Sequence, residues 1–231
     1  MKINKLSIII PVYNEQKTIE EIINHIKKVN LINIEKEIIV INDGSTDNTL
    51  NILKNISNIK LISHNRNMGK GMSIRTGIKK STGEVILIQD ADLEYNPEEY
   101  PNLLAPIILN KSKVVYGSRR LNPKNNYSHL HFYLGGILLT WFTNLIYPSA
   151  HLTDESTCYK VFTKETIEDI KLNCRGFEFC PEITSRLLKI GIKIHEVPIS
   201  YNPRTIKQGK KINWKDGIYA FWILIKYRLK D

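Results

Sequence analysis

Cysteine is scarce in this 231-residue sequence, and the few that occur exclude two classes of protein. Cys158, Cys174 and Cys180 are odd in number, and none of them forms a CxxC pair. A disulfide framework uses an even set of cysteines and a zinc site uses closely spaced pairs, so neither is indicated. We therefore expect reduced thiols and a protein of the cytoplasm.

The sequence also lacks the segments that would carry it out of the cell or across a membrane. Residues 1–15 lead straight into an apolar strand and then to acidic Glu15, without the apolar region and cleavage site of a secretory signal. Residues 125–153 carry no formal charge and contain the apolar run 132–147, but two glycines and several polar side chains interrupt it. The run falls short of the roughly 20 apolar residues that a spanning helix needs. We expect a helix that lies in a protein or membrane interface.

Two nucleotide-binding fingerprints are missing as well. Gly69-Lys70-Gly71 precedes a helical pattern, but it has the spacing of neither GxGxxG nor GxxxxGK[ST]. A dinucleotide fingerprint and a P-loop are therefore excluded. Lys70 remains a candidate for binding a phosphate, with a plain turn as the alternative.

Positive charge predominates over an otherwise ordinary composition. Hydrophobic residues make up 42% of the chain and charged residues 24%, which is typical of a globular protein. The 33 Lys and Arg residues outnumber the 23 Asp and Glu residues, so the formal net charge is +10. This excess indicates anionic partners, such as nucleic acid, a lipid surface or a phosphorylated substrate. The length favours a single domain over residues 1–231.

Short β-branched runs alternate with helical patterns in residues 1–120, which predicts an α/β fold with a mostly parallel central sheet flanked by helices. Isoleucines at 19, 22, 23 and 26 form one helical stripe after the first strand. In residues 121–231 the alternation stops, and we expect mixed structure with a terminal helix over 214–229. The predicted strands are 6–10, 37–41, 59–63, 84–89, 113–116, 193–197 and 199–201.

The sharpest local feature is Asp90-Ala91-Asp92-Leu93-Glu94, which follows an apolar strand. If the chain stays extended, the three carboxylates point to one side, since side chains alternate along a strand. Such carboxylates repel one another unless a cation lies between them, and hard oxygen ligands suit Mg²⁺ or Mn²⁺. A solvated loop is the alternative. The carboxyl end of a strand, where ligands bind in open α/β sheets, favours a metal site.

Two further strand ends carry residues suited to a nucleotide. Residues 11–15 include Tyr13, whose ring offers an aromatic face. Residues 42–45 include Asp43, which can accept hydrogen bonds from N–H groups of a base. Either segment alone is equally well explained as a turn and helix cap. Their joint occurrence with the acidic motif favours a binding site.

In these segments and several others the sequence resembles family 2 glycosyltransferases, in particular the dolichol- or polyprenyl-phosphate mannosyltransferase group. The resemblance implies a GT-A fold and a metal-dependent hexosyltransferase, with a donor-binding half over residues 1–120 and an acceptor half with interface helices over residues 121–231. The matching residues follow the family's order along nearly the whole chain: Ile8 to Glu15, Asp43 to Asp47, Asn67 to Gly71, Asp90 to Leu93, Gly117 to Arg119, and Glu196 to Pro198 with the basic loop after it.

The resemblance also implies roles for individual residues. Asp90, Asp92 and Glu94 would bind Mg²⁺ or Mn²⁺, although relatives often have Gln in the place of Glu94. The basic residues would meet phosphate oxygens, Arg as a bidentate fork and Lys as a point charge. The residues expected to hold a nucleotide-sugar donor, GDP-mannose or UDP-glucose, are Pro11, Tyr13, Glu15, Ile41, Asp43, Lys70, Asp90, Ala91, Asp92, Arg119, Arg204, Lys210 and Lys211.

The acceptor decides whether a general base is needed. A lipid phosphate is already an anion at pH 7 and needs none, whereas a hydroxyl acceptor needs one. Asp154 or Glu155 is then the candidate, with a helix cap and turn as the alternative for this segment. Relatives that use a polyprenyl phosphate tend to carry basic residues where this chain has Leu134-Gly135-Gly136, although His129 lies nearby. The expected catalytic residues are Asp90, Asp92, Arg119 and Asp154.

We weigh three functions. The first is an inverting transfer of mannose or glucose from the donor to a polyprenyl or dolichyl phosphate. The second is transfer to a saccharide hydroxyl in envelope polysaccharide synthesis, and the third is an inactive module that binds a nucleotide sugar or nucleic acid. Asp90 and Asp92 argue against an inactive module, so we expect no nucleic-acid partner.

The predicted terminal helix places aromatic and aliphatic residues beside Lys and Arg, a composition that suits an anionic lipid surface. A packed terminal helix is the alternative. We expect a peripheral protein at the inner face of a membrane, and the sequence leaves its oligomeric state open.

Overall fold

The computed structural model describes residues 2–127, 129–204, 211 and 213–229. Its strands are β1 (Lys5–Val12), β2 (Glu35–Asn42), β3 (Lys60–Ser63), β4 (Val85–Ile88), β5 (Val114–Ser118), β6 (Lys160–Thr163) and β7 (Ile194–Pro198). Its helices are α1 (Ile19–Lys28), α2 (Thr49–Lys54), α3 (Lys70–Lys80), α4 (Tyr100–Ile108), α5 (Leu130–Ile146), α6 (Lys164–Glu168), α7 (Phe179–Lys189) and α8 (Trp214–Leu229). A 3₁₀ turn, Pro97–Glu99, precedes α4.

Parallel pairing dominates the seven-stranded sheet, whose order is β3-β2-β1-β4-β6-β5-β7. β1 pairs in parallel with β2 and β4, β2 with β3, and β5 with β7. β6 is the exception, because it runs antiparallel between β4 and β5. The predicted α/β fold with a mostly parallel sheet is therefore confirmed, and β6 and β7 join the sheet that the first half of the chain begins.

Helices cover both faces of the sheet because its central strands are apolar on both sides. All four residues of β4 are fully buried, and alternate residues of β1 enter different cores. Ile8 belongs to the core that contains the predicted isoleucine stripe of α1, whose four members are fully buried. Ile9 belongs to the second core, together with Ile74 of α3 and Ile183 of α7. This two-sided core fixes the strand ends that carry the candidate site.

The segment 199–201 is a correction, since it does not form the strand that its sequence predicts. The Ile199 N–H still continues the ladder by donating to the carbonyl oxygen of Ser118 at 3.1 Å. The next two amides leave it, since Ser200 N–H donates to Glu99 Oε1 at 2.7 Å and Tyr201 N–H donates to Asn125 Oδ1 at 2.9 Å. The amide groups that these two residues would pair in a strand are thus taken by side chains. The segment instead leads from β7 back to the carboxyl end of the sheet.

α5 and α8 lie against each other, with Leu139, Ala220 and Leu224 in one small core. Within the described residues, no helix is both long and apolar enough to cross a membrane. Much of the remaining apolar surface of this helix pair is exposed. We call this surface the apolar face; it comprises Leu134, Leu138, Trp141, Leu145, Ile218, Tyr219 and Trp222.

Candidate active site

A cavity of about 410 Å³ opens at the carboxyl ends of β1, β2 and β4 and brings most of the predicted site residues together. The parallel strands end at the same edge of the sheet, so the segments that follow them meet there. The predicted residues that line this cavity, called the main cavity below, are Pro11, Tyr13, Glu15, Asp43, Lys70, Asp90, Ala91, Asp92, Glu94, Arg119, Arg204 and Lys211.

Two predicted binding residues are not in that set. Ile41 does not line the main cavity, because its side chain is fully buried in the second core with Ile39 and Ile74. The structure therefore does not bring the Ile41 side chain to the cavity, and its position beside the base stays a prediction. Lys210 lies outside the described residues.

Asp43 is held in place by three donors, one of which the sequence analysis missed. Its Oδ1 accepts from Met68 N–H at 3.0 Å and lies 2.7 Å from His64 Nδ1, and its Oδ2 accepts from Gly69 N–H at 2.8 Å. Gly69 has a φ of +95°, and a Cβ there would lie 2.3 Å from the carbonyl oxygen of Arg175. Asp43 thus joins β2 to the start of α3 and lines the main cavity, where its carboxylate can accept a further hydrogen bond. No sequence motif marks His64.

The acidic motif brings its three carboxylates to the main cavity, as predicted. Asp92 is buried, and burial together with the charges of Asp90 and Glu94 raises its pKa to about 7, against the opposing effect of Arg204. Asp92 Oδ1 also accepts from Glu94 N–H at 3.1 Å, which fixes the bend of the segment. The carboxylates are therefore close enough to repel one another.

Arg204 contacts two carboxylates of the acidic motif and also Glu15. Its Nη2 lies 2.7 Å from Asp92 Oδ2, and its Nη1 lies 3.0 Å from Glu15 Oε2. Its backbone N–H donates to Glu94 Oε1 at 2.8 Å. Lys211 Nζ adds a second cation, 2.8 Å from Glu15 Oε1, and also donates to the carbonyl oxygen of Tyr13. Arg204 thereby joins the chain after β7 to the motif after β4.

Lys70 pairs with the remaining carboxylate of the motif. Its Nζ lies 2.5 Å from Asp90 Oδ1 and 3.0 Å from Cys158 Sγ. Burial alone would lower the pKa of Lys70, but Asp90 together with Cys158 and Cys180 outweighs it, and the pKa lies well above its usual value. Lys70 therefore carries a charge at the floor of the main cavity, where a phosphate would meet it.

Arg119 is positioned by the buried carboxylate of Asp154. Asp154 is fully buried, and both of its oxygens accept from the Arg119 guanidinium. Glu196 in turn accepts from Thr153 N–H at 2.6 Å and from Asp154 N–H at 2.9 Å. The motif Glu196-Val197-Pro198 thus supports the segment that holds Arg119, a relationship that sequence spacing could not reveal.

Neither candidate base lines the main cavity. Asp154 is occupied by Arg119, and although burial opposes it, this partner holds the pKa of Asp154 below its usual value. Glu155 is fully buried with no hydrogen-bond partner for either carboxylate oxygen. Burial raises the pKa of Glu155 to about 8 despite the nearby Lys160. The geometry suits Asp154 to positioning Arg119, and its predicted catalytic role stays a prediction.

A small second cavity adjoins the main one and shares Arg119 and Tyr201 with it. Arg120 and His129 also line it, and Nε2 of His129 is buried without a hydrogen-bond partner. A Cβ on Gly136 would lie 3.0 Å from Arg120 Nη2, so this glycine of α5 leaves room for the guanidinium. Arg120, which the sequence analysis missed, therefore supplies positive charge where the interface helix has none.

The donor set of the acidic motif fits a hard divalent cation. Three carboxylates line one cavity, and a cation bound between them would relieve the repulsion among their charges. In the described part of the chain, no group of three or more His, Cys, Asp or Glu side chains is arranged as a ready metal site. The carboxylates are instead paired with Lys70 and Arg204, so metal binding by Asp90, Asp92 and Glu94 stays a prediction.

Comparison with known proteins places this site in a family. The family model described as glycosyl transferase family 2 matches residues 7–170. A UDP-N-acetylglucosamine–dolichyl-phosphate N-acetylglucosaminyltransferase of Methanococcus voltae is 29% identical over 96% of this chain and 95% of its own length. A dolichyl-phosphate beta-glucosyltransferase of Trichomonas vaginalis is 31% identical over 85% of this chain, which spans 65% of that protein, just under two thirds.

Solved structures share the fold. One is glucosyl-3-phosphoglycerate synthase from Mycobacterium tuberculosis in complex with Mn²⁺, uridine diphosphate and glucosyl-3-phosphoglycerate, with a TM-score of 0.74 and 16% sequence identity. The match covers 98% of this chain and 79% of that one. This likeness confirms the predicted GT-A architecture.

Proposed function

Because the chain belongs to glycosyl transferase family 2, we propose that it moves a hexose, with inversion, from a nucleotide-diphosphate sugar to a polyprenyl or dolichyl phosphate. GDP-mannose and UDP-glucose are the proposed donors. One observation carries the proposal: a single cavity sets the carboxylates of Asp90 and Asp92 beside the cations Lys70, Arg119 and Arg204. A cavity of this composition matches a metal-bound diphosphate, in which positive and negative groups alternate.

The nucleoside is assigned to the ends of β1 and β2. Tyr13 offers its ring, and Asp43 offers Oδ2 to an N–H group of the base. The relatives support a nucleotide donor, since one of them is named for UDP-N-acetylglucosamine and the related crystal structure contains uridine diphosphate. Lys211 contacts both Tyr13 and Glu15, and Glu15 shares its other partner, Arg204, with Asp92.

A divalent cation is part of the proposal, with Asp90, Asp92 and Glu94 as the residues that would hold it. When bound, it would supply Lewis-acid stabilisation to the departing nucleoside diphosphate. The chain's own cations do the rest: Lys70 and Arg204 neutralise phosphate oxygens, and Arg119 faces both cavities. The related crystal structure contains Mn²⁺, which supports this choice of ion.

A phosphate acceptor fits the site better than a hydroxyl acceptor. A hydroxyl needs a general base, but Asp154 is occupied by Arg119 and Glu155 is buried outside the main cavity. A phosphate needs only positive charge, and the second cavity provides Arg119 and Arg120 beside His129. The names of the two relatives, both of which refer to dolichyl phosphate, support this acceptor.

The apolar face provides a surface that can contact the membrane in which a lipid-phosphate acceptor lies. It leaves two tryptophans more than half exposed, Trp141 at 58% and Trp222 at 57%. Lys215, Lys226 and Arg228 lie on the same helix as Trp222, which suits a surface of anionic lipid. We assign the protein to the periphery of a membrane, at its cytoplasmic face, with α5 and α8 in contact with lipid.

A binding screen followed by a transfer assay tests the proposed function. UDP- and GDP-sugars are screened for thermal stabilisation with Mn²⁺ and again with EDTA, and the stabilising donor is then incubated with a short-chain prenyl phosphate or with the matching prenol. We expect stabilisation that EDTA abolishes, and sugar transfer to the phosphate alone. Transfer to the prenol or to a saccharide instead would reject the phosphate acceptor. Binding of oligonucleotides with indifference to EDTA would reject the enzyme.

A further inference from the structure

The acidic residues at the centre of the main cavity are paired with basic residues of the same cavity. Four carboxylates, those of Glu15, Asp90, Asp92 and Glu94, meet three described cations, those of Lys70, Arg204 and Lys211. The Arg204 side chain is 17% exposed, and its acidic partners are 9 to 12% exposed. The pairs are therefore shielded from solvent, where charges interact strongly. A ligand that takes the carboxylates must first displace the cations.

The placement of Arg204 is favourable in charge but incomplete in hydrogen bonding. Its two Nη atoms bond Asp92 and Glu15, but its Nε is buried with no hydrogen-bond partner and lies 3.9 Å from Glu94 Oε1. A buried donor without a partner costs free energy. The Arg204 guanidinium thus pairs with the carboxylates of Asp92 and Glu15 while its Nε–H donor stays unsatisfied.

We propose that Arg204 is an internal substitute for the divalent cation, holding the acidic group together until the donor arrives and then transferring to the donor's diphosphate. This inference rests on the proposed function. Asp92 and Glu94 are contacts of Arg204 and also predicted metal ligands, so the guanidinium and a metal ion compete for the same oxygens. Lys70 has the same relation to Asp90.

Charge balance predicts how binding proceeds. A nucleotide-diphosphate sugar brings two negative charges and the metal ion two positive ones, so the two together leave the net charge of the cavity unchanged. Either ligand alone changes that charge by two in a shielded site, which is unfavourable. Metal and nucleotide sugar should therefore bind cooperatively, with Arg204 and Lys70 passing from carboxylate to phosphate.

Arg204→Met tests the exchange because it should move two affinities in opposite directions. Mn²⁺ alone, followed by the electron paramagnetic resonance signal of the free ion, should bind roughly tenfold more tightly to the variant, since its competitor is gone. UDP-glucose or GDP-mannose, titrated in the presence of Mn²⁺, should bind roughly tenfold more weakly. Lys113→Met, which removes a cation from an exposed pair with Glu165, is the matched control and should change neither affinity.

The outcomes separate this inference from its alternatives. A loss of both affinities would mean that Arg204 only supports the structure, and an unchanged Mn²⁺ affinity would mean that it contacts only the diphosphate; either overturns the exchange. If Arg204→Met does not fold, Arg204→Lys takes its place as the test, because an ammonium group bridges fewer carboxylates than a guanidinium does. A Mn²⁺ affinity of Arg204→Lys that is no tighter than that of the wild type would again overturn the inference. Failure of the wild type to bind any nucleotide sugar with Mn²⁺ rejects the proposed function. Normal sugar transfer with an unchanged Mn²⁺ affinity in the variant rejects the exchange alone.

Discussion

Arg119 and Asp154 form a bidentate ion pair, with Nε to Oδ2 and Nη2 to Oδ1 both at 2.7 Å. The Asp154 carboxylate is fully buried, whereas Arg119 lines both cavities. The acid therefore holds a cation that faces the substrates while remaining out of their reach. A bidentate pair fixes the plane of the guanidinium, which a solvent-exposed arginine would not achieve.

Replacing the acid of this pair by an amide should impair phosphate binding without changing the pH profile. In Asp154→Asn we expect the KM for a prenyl phosphate to rise roughly tenfold, and the stability to fall by on the order of 3 kcal/mol, because Arg119 loses its buried counter-charge. Steady-state kinetics from pH 5 to 9 and urea unfolding measure both. Glu168→Gln, at an exposed i,i+4 pair, is the control. Loss of the alkaline plateau of kcat in Asp154→Asn would instead identify Asp154 as a general base.

Removing one carboxylate of the acidic motif should abolish metal-stimulated binding and leave the fold intact. Asp92→Asn keeps the size of the side chain and its ability to accept from Glu94 N–H, so the bend of the segment should persist. Mn²⁺ should then no longer increase nucleotide-sugar affinity, and turnover should fall at least a hundredfold, on the order of 3 kcal/mol of transition-state stabilisation. Calorimetry with and without Mn²⁺ measures this. Unchanged metal stimulation would remove Asp92 from the metal site.

The sequence allowed the site to be predicted wherever local patterns reach it. The alternation of apolar runs placed Asp43, Asp90 and the segment after β1 at one sheet edge, and the structure brings them together. The Ile41 side chain does not reach the cavity because it is fully buried in the second core, and a resemblance between sequences does not reveal that burial.

Residues joined by distant contacts could not be predicted. His64 supports Asp43 from 21 positions away, and Glu196 supports Thr153 from 43 positions away. The antiparallel entry of β6 between β4 and β5 depends on the pairing of Val85 with Thr163, which no local period encodes. Arg120 could not be predicted, because its guanidinium lines the second cavity in the space that Gly136 leaves.

Glu155 should make the protein less stable as the pH rises. Its ordinary pKa of 4.5 is raised to about 8 by burial, so the folded protein keeps the proton that the unfolded chain releases. Stability is therefore highest below the unfolded pKa and falls between about pH 5 and pH 8, by on the order of 3 kcal/mol. Glu155→Gln carries no proton to lose and should be the more stable protein at pH 8. Urea unfolding at pH 5 and pH 8 measures the difference.

The matched control for this comparison is Glu165→Gln, an acid-to-amide change at a carboxylate that is 75% exposed. It should leave the pH dependence of the wild type in place, since an exposed side chain is in contact with solvent in both the folded and the unfolded protein. Equal slopes of stability against pH for the wild type and Glu155→Gln would show that Glu155 is charged in the folded protein.

Polar substitutions on the apolar face should weaken binding to lipid without harming the active site. Burial of one large apolar side chain contributes roughly 1.5 to 3 kcal/mol, so replacing both Trp141 and Trp222 by Gln should lower affinity for anionic vesicles at least a hundredfold. Co-sedimentation with vesicles measures this.

Ile32→Gln is the control, because it changes a side chain that is 80% exposed and lies between α1 and β2, and it should bind vesicles like the wild type. The double variant should still glycosylate a short-chain prenyl phosphate in solution, because neither tryptophan lines the main or the second cavity. If it bound vesicles as the wild type does, α5 and α8 would not be the surface that meets the membrane.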